Sequence, residues 1–274
     1  MKIAVTGANG LVGSRVIELL KKKHTIIPFE SRNLDITDQK TVSSILGKKD
    51  YDLLLHLAAY TNVDGAETEK DKAHAVNVNG TKNLFDAVTA AGKKMIYIST
   101  DFVFDGKIPP FDEESKPNPI GYYGQTKYEG EQVLNNQAMI VRISYPYGFS
   151  SEKKPDFVQR LRQVLEHDKA ITMIADSAMT PTFIDDIAQG LEYLATHYKP
   201  EIYHLVGGKS YTPFEVGTSI AKHYELPESL IMPTTYKEYM KGKAARPQYS
   251  IIMTSKNTFT PMKTFEEGLT LLGS

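Results

Sequence analysis

The feature that most constrains this chain is a glycine triplet set between a strand and a helix near the N-terminus. Lys2-Ile3-Ala4-Val5-Thr6 is a short β-prone run that ends at Gly7. Gly7, Gly10 and Gly13 follow in a G-x-x-G-x-x-G spacing, with Asn9, Leu11 and Val12 among the intervening residues. Apolar residues then recur at Leu11, Val12, Val16, Leu19 and Leu20, which predicts a helix over residues 11–22. Lys21, Lys22 and Lys23 close it where cations suit the helix dipole. One glycine permits a tight turn, one lets the backbone approach a pyrophosphate, and one lets the helix pack closely on the sheet. The helix N-terminus adds free N–H groups and a positive dipole end. The usual fingerprint is G-x-G-x-x-G, and a triplet alone often marks only a turn. The strand before it and the helix after it favour a dinucleotide.

The remainder of the first half alternates in the same way. Residues 25–29, 51–57, 94–99 and 138–143 read as strands, and residues 73–91 and 122–134 as helices. Leu53-Leu54-Leu55 is apolar throughout, as expected of a strand buried on both faces. The expected fold is α/β, a Rossmann-type doubly wound parallel sheet with a small C-terminal substrate-binding lobe. Residues 1–145 form the nucleotide domain in this reading. Residues 146–274 form mainly the lobe, with some segments returning to the sheet. Residues 107–119, rich in Gly and Pro, read as a long loop, and residues 156–167, 184–197 and 212–223 as helices.

Composition excludes several alternatives. The net charge of −1 sets up no bulk field for nucleic acid or an anionic membrane. There are no cysteines, hence no disulfide, thiolate metal site or Cys nucleophile. His56, His204 and His223 are far apart in sequence and form no metal set. The apolar runs are too short for a signal peptide or a membrane span, so the expected location is cytoplasmic.

Cofactor choice turns on the end of the second strand. A carboxylate there holds the ribose of NAD, whereas an Arg accepts the 2′-phosphate of NADP. Glu30 stands for the first; Ser31 and Arg32 stand for the second. The alternative is that Glu30 and Arg32 are solvated loop charges. The reading leans to NADPH with NADH also used. Asp35 and Ile36 lie just beyond, within reach of an adenine edge.

The chemistry lies further on. Tyr123 and Lys127 are four residues apart at the start of a helix, so they share one face. A phenol is a poor acid at neutral pH, and a neighbouring ammonium is expected to lower its pKa. Ser99 and Thr100 end a strand where a hydroxyl would hold a substrate oxygen, since ligands sit at the carboxyl ends of such strands.

Beyond these, Leu57-Ala58-Ala59, Tyr60-Thr61-Asn62-Val63-Asp64 with Ala66-Glu67, and Asn77-Val78-Asn79-Gly80-Thr81 carry a resemblance. So do Ser99-Thr100-Asp101-Phe102-Val103-Phe104-Asp105-Gly106, Pro181-Thr182 before Asp185-Asp186-Ile187-Ala188, and Arg246-Pro247 with Ser250. The chain resembles the extended short-chain dehydrogenase/reductase superfamily over nearly its whole length, and within it the dTDP-4-dehydrorhamnose reductases. The resemblance implies that Gly7, Asn9, Gly10, Leu11, Val12 and Gly13 line the pyrophosphate. It places Asp35 and Ile36 against the adenine, Ala58, Ala59 and Thr61 along the cofactor trough, and Asn77 in support. It implies Thr100, Tyr123 and Lys127 as the catalytic residues, with Val63, Thr100, Phe102, Tyr145 and Arg246 on the substrate side. The implied reaction is hydride transfer from NADPH or NADH to C4 of a nucleotide-linked 4-keto-6-deoxy sugar, by a possible homodimer.

Two departures matter. Dehydratases of the superfamily carry Asp-Glu after the Thr; here Asp101 is followed by Phe102, so elimination is not expected and Asp101 reads as a structural hydrogen-bonder. The reductases carry Ser-Trp-Val-Tyr-Gly after strand five; here Ser144-Tyr145-Pro146-Tyr147-Gly148 stands in its place. Arg246 suits a substrate phosphate or a structural ion pair. Two competing readings remain: a nucleotide-sugar epimerase that recycles its cofactor, and a non-catalytic NADP-binding regulatory subunit resembling methionine adenosyltransferase β.

Overall fold

The computed structural model describes residues 1–149 and 154–273. The strands are β1 (Lys2–Thr6), β2 (Thr25–Phe29), β3 (Leu53–His56), β4 (Lys94–Thr100), β5 (Met139–Ile143), β6 (Pro146–Tyr147), β7 (Ile171–Ile174), β8 (Thr182–Phe183), β9 (Ile202–His204) and β10 (Ile231–Thr234). The helices are α1 (Leu11–Leu20), α2 (Gln39–Leu46), α3 (Val63–Thr68), α4 (Lys70–His74), α5 (Thr81–Ala90), α6 (Tyr122–Gln132), α7 (Phe157–Glu166), α8 (Ile184–Thr196), α9 (Pro213–His223), α10 (Tyr236–Tyr239) and α11 (Phe265–Leu272).

Six strands form one parallel sheet in the order β2-β1-β3-β4-β5-β9. Side chains alternate between its faces, as a period of two requires. Ile96 and Ile98 of β4 join one core with Ile3, Val5, Leu53 and Leu55; Met95 and Tyr97 join the opposite core with Ala4 and Leu54. Chain order reverses beside β1, so the crevice opens at the carboxyl ends of β1, β3 and β4, where ligands bind in such sheets. α8 and β9, from the second half of the chain, return to this body: Ile184, Ile187 and Leu191 pack in the same core as Val16 of α1. The rest of the C-terminal half has its own core of Tyr147, Val158, Leu161, Val216, Ile220, Phe265 and Leu269. Its helices are capped by sequence: Asp156 accepts the Gln159 N–H, and Thr212–Glu215 and Thr264–Glu267 form capping boxes.

The helix expected over residues 73–91 is present, running without a gap from Lys70 to Ala90, but it is not α-helical throughout. α4 runs into a π-helical turn, Ala75–Gly80, before α5. The reason is Asn77. Its side chain accepts the Tyr60 N–H at 2.8 Å, donates to the Tyr60 carbonyl at 3.1 Å and donates to Thr126 Oγ1 at 2.9 Å. A widened turn swings that amide onto the neighbouring segment, a use typical of π turns near functional sites.

Behind the sheet end lies a buried ion pair. Arg142 of β5 donates to both carboxylate oxygens of Glu131 on α6, at 2.9 and 2.7 Å. Both side chains are essentially inaccessible, at 1% and 4%. The pair ties α6 to β5. Glu131→Ala leaves Arg142 buried without its counter-charge, and urea denaturation is expected to show a loss of about 3–5 kcal/mol. A loss below about 1 kcal/mol would show that the pair is not structural.

Candidate active site

A cleft of about 890 Å³ runs along the carboxyl ends of β1, β3 and β4. Its first arm is built by backbone. Gly7 adopts φ +68°, and a Cβ there would stand 2.6 Å from the Ala58 nitrogen; a Cβ on Gly13 would stand 2.2 Å from the Gly7 carbonyl oxygen. Only glycine fits at either place. Gly10 stands at the N-cap of α1 and offers no side-chain cap, so the first N–H groups of the helix face the cleft. This cradle fits the pyrophosphate of a dinucleotide. Asn9, Leu11 and Val12 line it, followed by Glu30, Ser31, Asp35 and Ile36 and, on the far wall, Ala58, Ala59 and Thr61.

The floor is held by a buried relay. Thr81 donates its hydroxyl to the Asn77 carbonyl at 2.7 Å, so the His56 Nε2–H donates to Thr81 Oγ1 at 3.1 Å. His56 Nδ1 then accepts from Thr6 Oγ1 at 2.7 Å. Burial, with the Lys127 charge, holds this imidazole neutral with a pKa of about 3. Asn77 supports the trough through Tyr60 rather than lining it. Arg32 also stays off the wall: its side chain is 81% exposed and pairs with Glu30 at 2.9 Å.

At the far end of the trough Thr100, Tyr123 and Lys127 come together, all buried and all lining the cleft. Thr100 ends β4, and Tyr123 and Lys127 lie one turn apart on α6. The expectation that the ammonium governs the phenol needs correction. Burial pushes the Tyr123 phenol up, eased only by its hydrogen bond with Thr100. Lys127 Nζ instead donates to the Ile98 carbonyl at 2.7 Å and lies 4.1 Å from the Tyr97 ring centroid. Burial lowers the Lys127 pKa to about 7, partly offset by Glu131. Asp101 accepts from Thr100 at 3.0 Å, from Ser144 at 3.0 Å and from Ser250. Its carboxyl is a buried hydrogen-bond hub at the meeting point of β4, β5 and the C-terminal segment.

The other arm of the cleft is aromatic. Phe102 meets Tyr123 edge-on at 5.6 Å and Tyr145 at 6.2 Å. Tyr145 has φ +40°, a strained position for a non-glycine residue. The next two residues, β6, pair with β8, which holds the turn in place. Val63 and Arg246 complete the wall. Arg246 pairs with half-exposed Asp64 at 2.9 Å, so it is both an ion-pair member and a cleft cation.

Ser99 lines the cleft as expected of a strand-end hydroxyl, but reasoning from residues missed several other lining positions: Leu57, Tyr60, Ile98 and Lys154, whose ammonium rests on the Asn9 carbonyl. Leu57 and Ile98 follow from the rule that ligands lie at strand ends. Nothing in the local pattern marks Lys154.

A glycine cradle and a Thr–Tyr–Lys set sharing the strand ends of one doubly wound sheet define an extended short-chain dehydrogenase/reductase. Within that class the chain belongs to the RmlD substrate binding domain family, whose model matches residues 1–272. It is 30% identical over 279 residues to dTDP-4-dehydrorhamnose reductase of Mycolicibacterium smegmatis, covering 98% of this chain and 84% of that protein. It is 31% identical over 253 residues to methionine adenosyltransferase 2 subunit beta of Mus musculus, covering 85% and 75%. The crystal structure of dTDP-4-dehydrorhamnose reductase from Bacillus anthracis in complex with NADP matches with a TM-score of 0.92 and 33% identity, covering 99% of this chain and 98% of that one.

Two outcomes follow. Gly13→Val forces a side chain into the Gly7 carbonyl, so fluorescence titration is expected to show dinucleotide binding abolished while the circular dichroism stays native. Lys127 also makes stability depend on pH. Its pKa is depressed in the fold, so between about 7 and the unfolded 10.5 the unfolded chain binds more protons. The ligand-free protein therefore gains stability as pH rises through that window. Lys127→Met is expected to lack this gain in melts run from pH 7 to 10; equal slopes would show that the ammonium is not desolvated.

Proposed function

We propose that this chain is an NAD(P)H-dependent oxidoreductase that reduces the 4-keto group of a nucleotide-linked 6-deoxy sugar, in the manner of the dTDP-4-dehydrorhamnose reductases it resembles. The observation that carries the reading is the convergence of Thr100, Tyr123 and Lys127 where the glycine-cradle trough meets the aromatic arm of the same cleft. When bound, the nicotinamide supplies the hydride. Tyr123 gives its phenolic proton to the oxygen that becomes the alcohol. Thr100 hydrogen-bonds that oxygen by turning to it the hydroxyl proton that the substrate-free site gives to Asp101. Lys127, anchored on the Ile98 carbonyl, holds a ribose hydroxyl. Phe102 and Tyr145 wall the sugar, and Arg246 meets the nucleotide phosphates once drawn from Asp64. The lobe after residue 145 adds Pro146 and Arg246 to the cleft, beside Val63, Phe102 and Tyr145 from before it. Asp101 has no second carboxylate beside it and its oxygens are already engaged, which supports reduction over elimination.

NADPH is the preferred donor in this reading. Arg32, exposed beside Glu30, swings to a 2′-phosphate by breaking a solvent-exposed pair that costs little. Arg32→Ala is expected to reduce kcat/KM for NADPH about tenfold and leave that for NADH unchanged. An equal loss with both cofactors would assign Arg32 to the fold.

The deciding assay mixes the protein with a freshly generated dTDP-4-keto-6-deoxy-L-sugar and follows oxidation of NADPH and of NADH. Tyr123→Phe is expected to lower turnover about 100-fold or more. The similarity to methionine adenosyltransferase 2 subunit beta favours a second reading, a regulatory NADP-binding subunit. Cofactor binding without turnover, together with capture by a methionine adenosyltransferase, would replace the first reading with the second.

A further inference from the structure

The helix that carries Tyr123 and Lys127 opens at Gly121, which has no side chain to cap it. The opening N–H groups of a helix have no partner inside it. Here the partner comes from outside: Glu67 Oε1 accepts the Tyr122 N–H at 2.8 Å, across 55 residues of sequence. Tyr122 begins α6 and precedes the phenol that donates the proton. The junction is crowded. A Cβ on Gly121 would stand 2.5 Å from the Ala245 carbonyl oxygen and 3.6 Å from the Glu67 carboxylate. Three pieces of chain therefore meet here: α3, the first turn of α6, and the segment bearing Arg246. Asp64, three residues before Glu67 and on the same face of α3, holds that third piece. It accepts the Ala244 N–H at 3.0 Å and pairs with Arg246 at 2.9 Å. α3 follows directly on Ala58, Ala59 and Thr61, so one short helix links the trough wall, the acid and the cleft cation.

We propose that Glu67 is a positioning residue for the reduction, fixing the first turn of α6, and with it the Tyr123 hydroxyl, by capping that helix from α3. The proposal rests on the reductase reading above. Glu67 does not line the cleft. Lys127, one turn further along, is anchored separately by the Ile98 carbonyl. Removing the cap frays the turn that aims the phenol and leaves the cofactor side intact. A misplacement of about 1 Å at a reacting group lowers rates by one to two orders of magnitude.

The test compares wild type, Glu67→Ala and Glu67→Gln by steady-state kinetics with the 4-keto nucleotide sugar, NADPH fluorescence titration, and amide hydrogen exchange of the substrate-free protein. Glu67→Ala is expected to lower kcat about tenfold or more. Its NADPH dissociation constant stays within about twofold of wild type, because the glycine cradle and Lys127 are untouched. Exchange at Tyr122 and Tyr123 accelerates. Glu67→Gln keeps an oxygen that accepts the Tyr122 N–H and recovers most of the rate and the protection. Wild-type kcat in Glu67→Ala, or a Gln variant as slow as the Ala variant, would overturn the proposal. If the wild-type protein does not reduce the sugar, the reductase reading fails first. The exchange experiment still stands on its own, and unchanged exchange at Tyr122 in Glu67→Ala would overturn the cap.

Discussion

The cleft exists because two backbone segments touch where no side chain fits. Gly13 brings the start of α1 onto the Gly7 carbonyl, and Gly7 rests against Leu57 and Ala58 at the end of β3. These approaches set the depth of the phosphate seat, and they place the wall formed by Ala58, Ala59 and Thr61 opposite it. The His56 relay from Thr6 to Thr81 and Asn77 holds the same spacing from below, using hydrogen bonds alone. Neutral imidazole suits this role: a charged one would need a buried counter-ion and would break the donor–acceptor order.

The electrostatics are layered outward from there. Lys127 is buried with a weakened hold on its proton, supported by a carbonyl, an aromatic face and, one turn away, the Glu131 charge. Glu131 is itself neutralised by Arg142, so the field on Lys127 is modest. Asp101 gathers hydroxyls from Thr100, Ser144 and Ser250. This fixes the Thr100 rotamer and stitches the C-terminal segment to the strand ends. The Glu131–Arg142 pair is buried, whereas the Arg32–Glu30 and Arg246–Asp64 pairs are partly exposed.

Much of this was legible in the residues. The glycine spacing with its flanking strand and helix, the apolar runs of β3 and β4, and the Tyr123–Lys127 pair each follow from local chemistry. Periodicity located α7, α8 and α9 within a residue or two of their ends. What escaped depends on contacts distant in sequence. α2 was not anticipated: its buried residues, Val42 and Leu46, are too few to stand out over eight positions, and Asp38 caps it. The π turn at Ala75–Gly80 is imposed by Asn77 reaching Tyr60 and Thr126, which no periodicity encodes. Burial, which reversed the expected shift on Tyr123, is a property of the assembled cleft. The partners of Arg246 and of the α6 N-terminus, Asp64 and Glu67, lie on a helix of six residues with no periodic signal.

In the proposed reduction, trough and aromatic arm present one carbonyl to hydride on one side and to the Tyr123 proton on the other. NADPH deuterated at the transferred position of its nicotinamide, incubated with the 4-keto nucleotide sugar, tests this directly by NMR of the product. One deuterium at sugar C4 per NADPH consumed is expected, with the hydroxyl proton drawn from solvent. A product without deuterium at C4, or sugar turnover with no net loss of NADPH, would contradict it.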